Sequence, residues 1–132
     1  MSVLFSENRI GDGGEDTETG KKGTGSGNFV TKVVKLADLV DYQEGAVVSR
    51  SMLKKKAGTV TLFAFDHGQG LNGHTTPFDA MVYLLDGEAE MVVSRKIFHL
   101  EEGDMVIIPE QRLYSLRAVN RFKMLLTTID TG

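Results

Sequence analysis

The stretch that decides the fold runs from Gly68 to Gly87 and reads GQGLNGHTTPFDAMVYLLDG. Its first three glycines predict sharp turns at the end of a strand, because glycine adopts positive φ at little steric cost. A His-Thr-Thr triplet and a proline follow, and a run of β-forming residues begins at Ala80. The stretch closes on Asp86-Gly87, a pair that predicts a two-residue hairpin between apolar runs. We therefore expect a strand pair here, with which the strands downstream are spaced to pair.

Further strands are predicted on both sides of this stretch, each bounded by turn residues. The predicted strands are 29–35, 46–53, 59–66, 80–85, 88–94, 97–100, 105–108, 113–119 and 122–129, with a turn of helix near 36–40. The last two are expected to be joined around Asn120. Eight to ten short strands with almost no helix signal predict an all-β fold, an antiparallel sandwich or a small barrel.

Several of these strands are apolar on both faces. In 80–85, one face carries Ala80, Val82 and Leu84, and the other carries Met81, Tyr83 and Leu85. An antiparallel sheet with one face in water alternates apolar with polar residues instead. We therefore expect the outer face to be covered, either by N-terminal strands or by a second copy in a two-fold homodimer.

Composition bounds the function. The 132 residues suffice for one domain with a core of its own. A net charge of −3 and a pI near 5.6 argue against general nucleic-acid binding, which needs a basic surface. The absence of cysteine excludes disulfides and thiolate ligands. We find neither a signal-peptide pattern nor an apolar run of about 20 residues, so we expect a cytoplasmic protein without a membrane partner.

The first 28 residues differ in composition from the rest. They hold seven of the chain's fifteen glycines and few large apolar side chains. Such a segment buries too little surface to offset its ordering entropy. Its GKKGTG run does not match a phosphate-binding loop, because no Ser or Thr follows the lysines and no strand precedes them. The interpretation is a flexible tail, 1–28, ahead of a single domain, 29–132.

The spacing of two motifs resembles the cupin family. The first cupin motif has a glycine, five residues, His-x-His, three or four residues, a glutamate, six residues and a glycine; Gly68 to Gly87 keeps this frame. The second has a glycine, five residues, Pro-x-Gly, two residues, a histidine, three residues and an asparagine; Gly103 to Ala118 keeps that frame. The resemblance spans 47–129 and implies a double-stranded β-helix, the jelly-roll barrel of this family.

The metal ligands of the family are mostly missing. The resemblance implies ligands at four positions, which are held here by His74, Thr76, Ala80 and Tyr114. Catalytic zinc sites use three protein ligands, and one imidazole is too few to retain a divalent ion. The cofactor prediction is therefore none, and any metal that is present is expected to be bound through His74.

Four residues near the first motif could form an alternative set of metal ligands, shifted from the family positions. His67, Gln69, His74 and Asp79 carry donor atoms near the same motif. Asp79 is one residue off the register of the missing glutamate, so its side chain is expected on the other side of the strand or in the bend at Pro77. This register argues against the shifted set. His99 is expected to be a surface residue of its strand.

The function predicted for the barrel is small-molecule binding without a metal. The candidate ligand-binding residues are His74, Thr76, Tyr114, Gln69 and His67. The register of His74 places it inside the barrel, where an imidazole needs a polar partner such as Tyr114. One alternative is an enzyme that acts on a small polar metabolite. It would be either metal-dependent or metal-free with His74 as base and Tyr114 as acid, which resembles the chemistry of the sugar epimerases of this family. A plainer alternative is a barrel filled with side chains, in a protein that acts through its surface.

Overall fold

A computed structural model describes residues 29–130. The segment 1–28, predicted to be a flexible tail, lies outside the described residues, as do the last two residues. The described elements are a 3₁₀ turn at Leu36–Leu39 and strands β1 (Val47–Lys55), β2 (Gly58–Phe65), β3 (Gly70–His74), β4 (Asp79–Val93), β5 (Lys96–Glu101), β6 (Met105–Ile108) and β7 (Tyr114–Ile129). The predicted all-β class and the predicted helical turn near 36–40 are both confirmed.

All seven strands join through antiparallel pairings, in which β1-β2-β7-β4-β5 form a path, β3 pairs with β7, and β6 pairs with β4. The long strands β4 and β7 pair with each other over nearly their whole lengths. Their N- and C-terminal halves have different outer neighbours. One half of the pair carries β2 and β6, and the other half carries β3 and β5. Two sheets thus share two strands, which gives the jelly-roll its two faces.

The predicted hairpin at Asp86-Gly87 is wrong. β4 continues through both residues, and the pairing with β7 shifts register on either side of them. Gly87 has φ of +85°, and a Cβ there would overlap the backbone carbonyl of Arg121. The same dipeptide that favours a tight turn here makes a bulge, which bends β4 from one sheet into the other. The distinction depends on which strand lies opposite, and β7 lies opposite both halves.

The predicted break around Asn120 is also wrong, since β7 runs without interruption from Tyr114 to Ile129. The predicted strand 29–35 is not formed either. This segment makes turns, and Val30 and Val33 are exposed, because no strand of the described residues pairs with it. By contrast, the predicted strands 46–53 and 59–66 correspond to β1 and β2, which form a hairpin closed by Lys56 and Ala57.

The core fills the space between the two sheets. Buried side chains from all seven strands form one cluster, whose members include Val47, Phe65, Leu71, Leu84, Met91, Leu100, Ile108, Leu116 and Phe122. At the bend of β4 and β7 the interior is closed by Phe65 and Phe122, whose rings stack with centroids 4.4 Å apart. Burial of this kind contributes about 25 cal/mol per Å² of apolar surface, so the cluster is the main source of stability. The barrel is therefore packed at the end where its long strands bend.

The outer face of one sheet is covered in part by the segment that precedes β1. Leu62 and Ala64 of β2 are fully buried beneath Val40 and the side chains around it. Tyr42 fastens this segment: its hydroxyl donates to Asp86 Oδ2 at 2.6 Å, and the Arg121 guanidinium lies 4.5 Å from its ring centroid. The expectation of a covered outer face is thus met over part of the sheet by the chain itself. No helix in residues 29–130 has the length and apolar character needed to cross a bilayer.

Candidate functional site

The end of the barrel away from the bend is lined by a row of four side chains. His74 pairs with Tyr114, Tyr114 pairs with Val93, and Val93 pairs with Lys96. Directly opposite residues of antiparallel strands project to the same side of a sheet. Val93 packs against the core and Tyr114 belongs to it, so this side is the barrel interior. We call these four residues the mouth row.

A second row lies one step further into the barrel. It consists of Leu71, Leu116, Met91 and Phe98, which pair across the same three ladders. Leu71, Leu116 and Met91 are buried, whereas Phe98 keeps 38% of its surface exposed. In both rows the members on β4 and β7 are packed into the core, whereas His74 on β3 and Phe98 on β5 stay exposed. Part of the plainer alternative, a barrel filled with side chains, holds for the end near the bend.

His74 and Tyr114 form the polar centre of the mouth row. Their rings meet edge to face, with centroids 5.6 Å apart and an angle of 79° between the planes. Tyr114 is 2% exposed, while His74 is exposed at the end of β3. The expectation that His74 is enclosed is thus corrected: its register is interior, but β3 ends there, and the strand beyond it does not continue to cover the ring. The predicted proximity of His74 and Tyr114 is confirmed.

A bulge in β3 sets the position of His74. Two residues, Asn72 and Gly73, stand opposite the single residue Ser115 of β7. Gly73 has φ of +53°, and its amide donates to Ser115 Oγ at 3.1 Å. Without this bulge, His74 would be one residue out of step with Tyr114 and would project from the outer face. The glycine predicted to be a turn residue therefore aims the imidazole.

Burial raises the pKa of the Tyr114 hydroxyl above its ordinary value. The phenol is therefore protonated at neutral pH and able to donate a hydrogen bond. A neutral phenol is a poor metal ligand, because binding a cation through this oxygen requires its proton to leave. Tyr114 is thus suited to hold or protonate an acceptor atom rather than a metal.

Thr76 lies beside the turn that leads into β7. Its carbonyl accepts a hydrogen bond from the Gln111 amide at 2.8 Å, and its hydroxyl accepts one from the Phe78 amide at 3.1 Å. Gln111 has φ of +67° at the position where the family motif has glycine. The hydroxyl of Thr76 thus already caps its own turn. Its role in ligand binding stays a prediction.

His67 and Gln69 lie at the other end of β3 from His74. Gly68 has φ of +81° in a turn closed by the Gln69 amide, which donates to the Asp66 carbonyl at 3.0 Å. Gly68 and Gln69 together stand opposite Ala118, forming a bulge that starts β3. His67 is exposed in this turn. The structure therefore separates these two predicted residues from the mouth row.

Gln69 nevertheless reaches the interior. It stands opposite Ala118, which is 1% exposed and faces the core, so its side chain projects inward. Its Oε1 atom is buried and accepts no hydrogen bond from residues 29–130. A buried acceptor without a donor is costly, and such atoms are rare in native proteins. Gln69 is thus an unsatisfied polar group two rows inward from Tyr114.

The four family ligand positions do not fit a divalent metal ion. Ala80 is buried and has no donor atom, the Thr76 hydroxyl is engaged with Phe78, and Tyr114 is protonated. Only the imidazole of His74 remains, against the three protein ligands of a catalytic zinc site. The shifted set fails as well, because Asp79 Oδ1 accepts from the Glu110 amide at 2.9 Å and His67 is at the far end of β3.

Another group of possible ligands lies outside the barrel, on the face of β4 and β5 opposite the core. His99 Nε2 is 3.1 Å from Glu88 Oε2 and 3.7 Å from Glu101 Oε2. The three side chains are partly or largely exposed, and such surface pairs occur without a metal. The expectation that His99 is a surface residue is confirmed. We assign this group as a surface cluster in which His99 and Glu88 are hydrogen-bonded.

Two basic residues near the mouth were missed by the sequence analysis. Lys96 belongs to the mouth row itself. Arg112 lies near it, because Arg112 Nη1 donates to Ser94 Oγ at 3.4 Å, at the tip of the β4–β5 hairpin. The signal for Lys96 was available, since it stands two and four residues before Phe98 and Leu100 on an alternating strand. No motif marks Arg112, whose position follows from the folded turn.

The fold matches known structures. A conserved protein of unknown function from Streptococcus pyogenes has a TM-score of 0.74 and 30% identity, over 77% of this chain and 90% of that one. A cupin 2 conserved barrel domain protein from Leptotrichia buccalis has a TM-score of 0.68 and 34% sequence identity, over 70% of this chain and 45% of that one. A cupin superfamily protein from Desulfitobacterium hafniense has a TM-score of 0.72 and 24% sequence identity, over 75% of this chain and 91% of that one. No protein-family model matches the sequence, and no curated protein does.

Proposed function

This chain belongs to the cupin superfamily, and on that premise we propose that it binds a small molecule at the mouth of its barrel without a resident metal ion. The observation that carries the proposal is the contrast between the two ends of the interior. At the bend, Phe65 and Phe122 are fully buried, whereas at the mouth His74 and Phe98 face the interior side and remain exposed. Concave, largely apolar sites with a few polar groups are typical of small-molecule binding.

Each proposed contact has a distinct chemical role. Tyr114 donates from its protonated hydroxyl, and His74 offers a ring nitrogen of either hydrogen-bonding sense. Phe98 provides an aromatic surface for an apolar part of the ligand. Thr76 is retained from the sequence prediction as a flanking contact. His67 and Gln69 lie at the other end of β3, so we assign them no contact with a ligand at the mouth.

The test is a thermal-shift screen of the full chain against a small-metabolite collection, with each hit confirmed by titration. Wild type, His74→Leu and Tyr114→Phe are compared, and His99→Leu serves as a control for the loss of a histidine from the surface. We expect hits that stabilise wild type and His99→Leu and fail with the two mouth variants. If every hit stabilises the mouth variants equally, the site is assigned wrongly.

The metal-free part of the proposal has its own test. Untagged protein is dialysed and its metal content is measured by elemental analysis. We expect substoichiometric iron, manganese, nickel and zinc, because the four ligand positions supply one imidazole and no carboxylate. Retention of one ion per chain, lost in His74→Leu, would overturn this part alone.

A second candidate function is metal-free acid–base catalysis. The observation in its favour is the contact between an exposed imidazole and a phenol whose pKa burial raises. In such a pair His74 would accept a proton from a substrate carbon and Tyr114 would donate one to a carbonyl oxygen. Incorporation of solvent deuterium into any hit that carries a carbon acid, abolished by Tyr114→Phe, would favour this function over binding alone.

We also propose that the chain forms a homodimer. The part of the outer face that the N-terminal segment leaves open carries Met105 and Ile107 of β6, which are 50% and 62% exposed. They pair with Tyr83 and Met81 of β4, so four apolar side chains share one face. A second copy related by a two-fold axis would cover the same patch on both chains.

A further inference from the structure

The mouth row ends in a cation that the proposed function does not use. Lys96 pairs with Val93, which packs against the core, so the Lys96 side chain starts on the interior side of β5. It is the only charged member of the mouth row, whose other members are His74, Tyr114 and Val93. Most lysines of strands project from the outer face, where water solvates the ammonium group. From this register position the long, exposed Lys96 side chain can carry its ammonium group over the mouth row.

The turn next to Lys96 adds a second cation. Ser94 and Arg95 have φ of +49° and +72°, as in the two-residue hairpin turns that join antiparallel strands tightly. The Ser94 amide donates to the Leu113 carbonyl at 3.4 Å, and Arg112 Nη1 donates to Ser94 Oγ. These contacts hold the hairpin tip beside the residues that lead into Tyr114. The guanidinium of Arg112 therefore lies at the same end of the barrel as Lys96.

The acidic side chains near the mouth are already engaged. Asp79 accepts from the Glu110 amide, and Glu110 makes further contacts of its own. The other carboxylates whose contacts are described are Asp66 and Asp86 at the bend, Glu88 and Glu90 on the outer face of β4, Glu101 in β5 and Asp104 in the turn after it. The chain has a net charge of −3, yet the mouth presents an ammonium and a guanidinium. Asp79 and Glu110 keep their charge at this end, so the attraction that we infer for an anion is local, through charge-assisted hydrogen bonds from these two cations.

We propose that the ligand of the mouth is a small organic anion, a carboxylate with an apolar body, whose carboxylate is bound by Lys96. The body would lie against Phe98, which stands one row inward on the same side of β5 and is partly exposed. The Tyr114 hydroxyl donates a second hydrogen bond to the carboxylate, and Arg112 adds to the local potential. This inference rests on the proposed function and specifies the charge of its ligand.

The experiment uses matched probes that differ only in charge. Benzoate and benzamide share the ring and the planar head group, and cyclohexanecarboxylate and its amide repeat the comparison without aromaticity. Binding to the full chain is followed by thermal shift and by NMR titration in low salt. We expect both carboxylates to bind, at least about fivefold more tightly than their amides, and to weaken as salt screens the ammonium group.

Two variants separate this inference from the proposed function. Lys96→Met keeps the length of the side chain and removes its charge, and Lys55→Met removes a charge from the β1–β2 hairpin as a control. We expect Lys96→Met to bind benzoate about five- to tenfold more weakly and benzamide unchanged, with Lys55→Met equal to wild type. If benzamide binds as well as benzoate and His74→Leu weakens both, the mouth is a binding site and the anion assignment is wrong. If Lys96→Met binds benzoate like wild type, Lys96 is not its anchor. If none of the four probes binds wild type, a carboxylate with an apolar body is not the ligand class.

Discussion

The imidazole of His74 meets the ring of Tyr114 edge to face at a centroid distance of 5.6 Å. One residue of this pair is exposed and the other is 2% exposed, so the contact joins solvent to the interior of the barrel. The bulge at Gly73 is what brings the two into register. A substitution at either residue is therefore expected to change both ligand binding and the free energy of unfolding. For Tyr114, the dependence of stability on pH measures the effect on folding separately.

Stability should fall at alkaline pH through Tyr114. Burial raises the pKa of its hydroxyl in the folded state, so the unfolded state releases the proton first, near pH 10. The stabilisation is complete below this pH and is lost as the pH rises through the folded-state pKa. We expect the urea midpoint of Tyr114→Phe to fall less than that of wild type between about pH 9 and pH 11. Equal slopes for the two proteins would contradict the burial of the hydroxyl.

Tyr42 provides a comparison for that experiment. Desolvation and the hydrogen bond to Asp86 raise the pKa of its hydroxyl as well, so it contributes an alkaline slope of the same sign. We expect Tyr42→Phe to retain the part of the slope that belongs to Tyr114 and to lose stability at neutral pH, because the hydrogen bond to Asp86 is removed. The expected loss is about 1 kcal/mol.

The bulge at Gly87 should tolerate no side chain. Gly87 and Gly45 have φ of +85° and +69°, but a Cβ at Gly87 would overlap the Arg121 carbonyl whereas nothing lies within 4 Å of one at Gly45. We expect Gly45→Ala to cost about 1 kcal/mol for the left-handed backbone alone. Gly87→Ala should cost more than about 2 kcal/mol, because the strands must also separate. Comparable unfolding free energies for the two variants would contradict the close approach of β4 and β7.

Replacement of Gln69 should show how much the buried, unsatisfied Oε1 destabilises the fold, and whether any ligand depends on it. Leucine at this position removes the buried Oε1 that has no donor within residues 29–130. We expect Gln69→Leu to stabilise the free protein by about 1 kcal/mol and to weaken binding of any ligand that reaches this depth. Gln43→Leu, on an exposed turn, should leave the melting temperature nearly unchanged. A destabilised Gln69→Leu would show that the amide is satisfied in solution.

The proposed dimer should depend on β6. Aspartate at Ile107 places a charge in the middle of the patch formed with Met81, Tyr83 and Met105, where a second copy would have to desolvate it. We expect wild type to have the mass of a dimer by light scattering and Ile107→Asp that of a monomer. Ile97→Asp, on the outer face of β5, is the matched control, since Ile97 is similarly exposed at 69%. A monomeric wild type would refute the proposal directly.

The sequence predicted the frame of the fold better than its connections. Gly68 was expected to have positive φ and does so, because the turn that requires it is encoded locally. Gly70 was expected to serve the same purpose, but it lies where a Cβ would overlap the Leu116 carbonyl. Asp86-Gly87 has the composition of a hairpin turn, and only the strand opposite makes it a bulge. Local patterns thus predict the conformation of a residue but not what lies opposite it.

The same limit applies to the candidate site. Motif spacing indicated His74 and Tyr114, and the structure brings them together. Motif spacing also placed Gln69 and His67 in one group with His74 and Tyr114, whereas the length of β3 separates the two pairs. Lys96 shares a side of β5 with Phe98 and Leu100 by alternation, but the predicted strand begins at 97, and only the pairing with Val93 shows that β5 includes Lys96. Side and depth in a barrel are properties of the strand register, which no single segment specifies.

The pairing of β4 with β7 along their full lengths has a kinetic consequence. Each sheet contains one half of this pair, so neither can form a stable unit while the other is unfolded, and we expect one concerted unfolding transition. The two strands are far apart in the chain, and Asp79 must find Ile129 before most of the core can assemble. Refolding should therefore be slow for a chain of this length, with two long apolar segments left open to intermolecular association in the meantime.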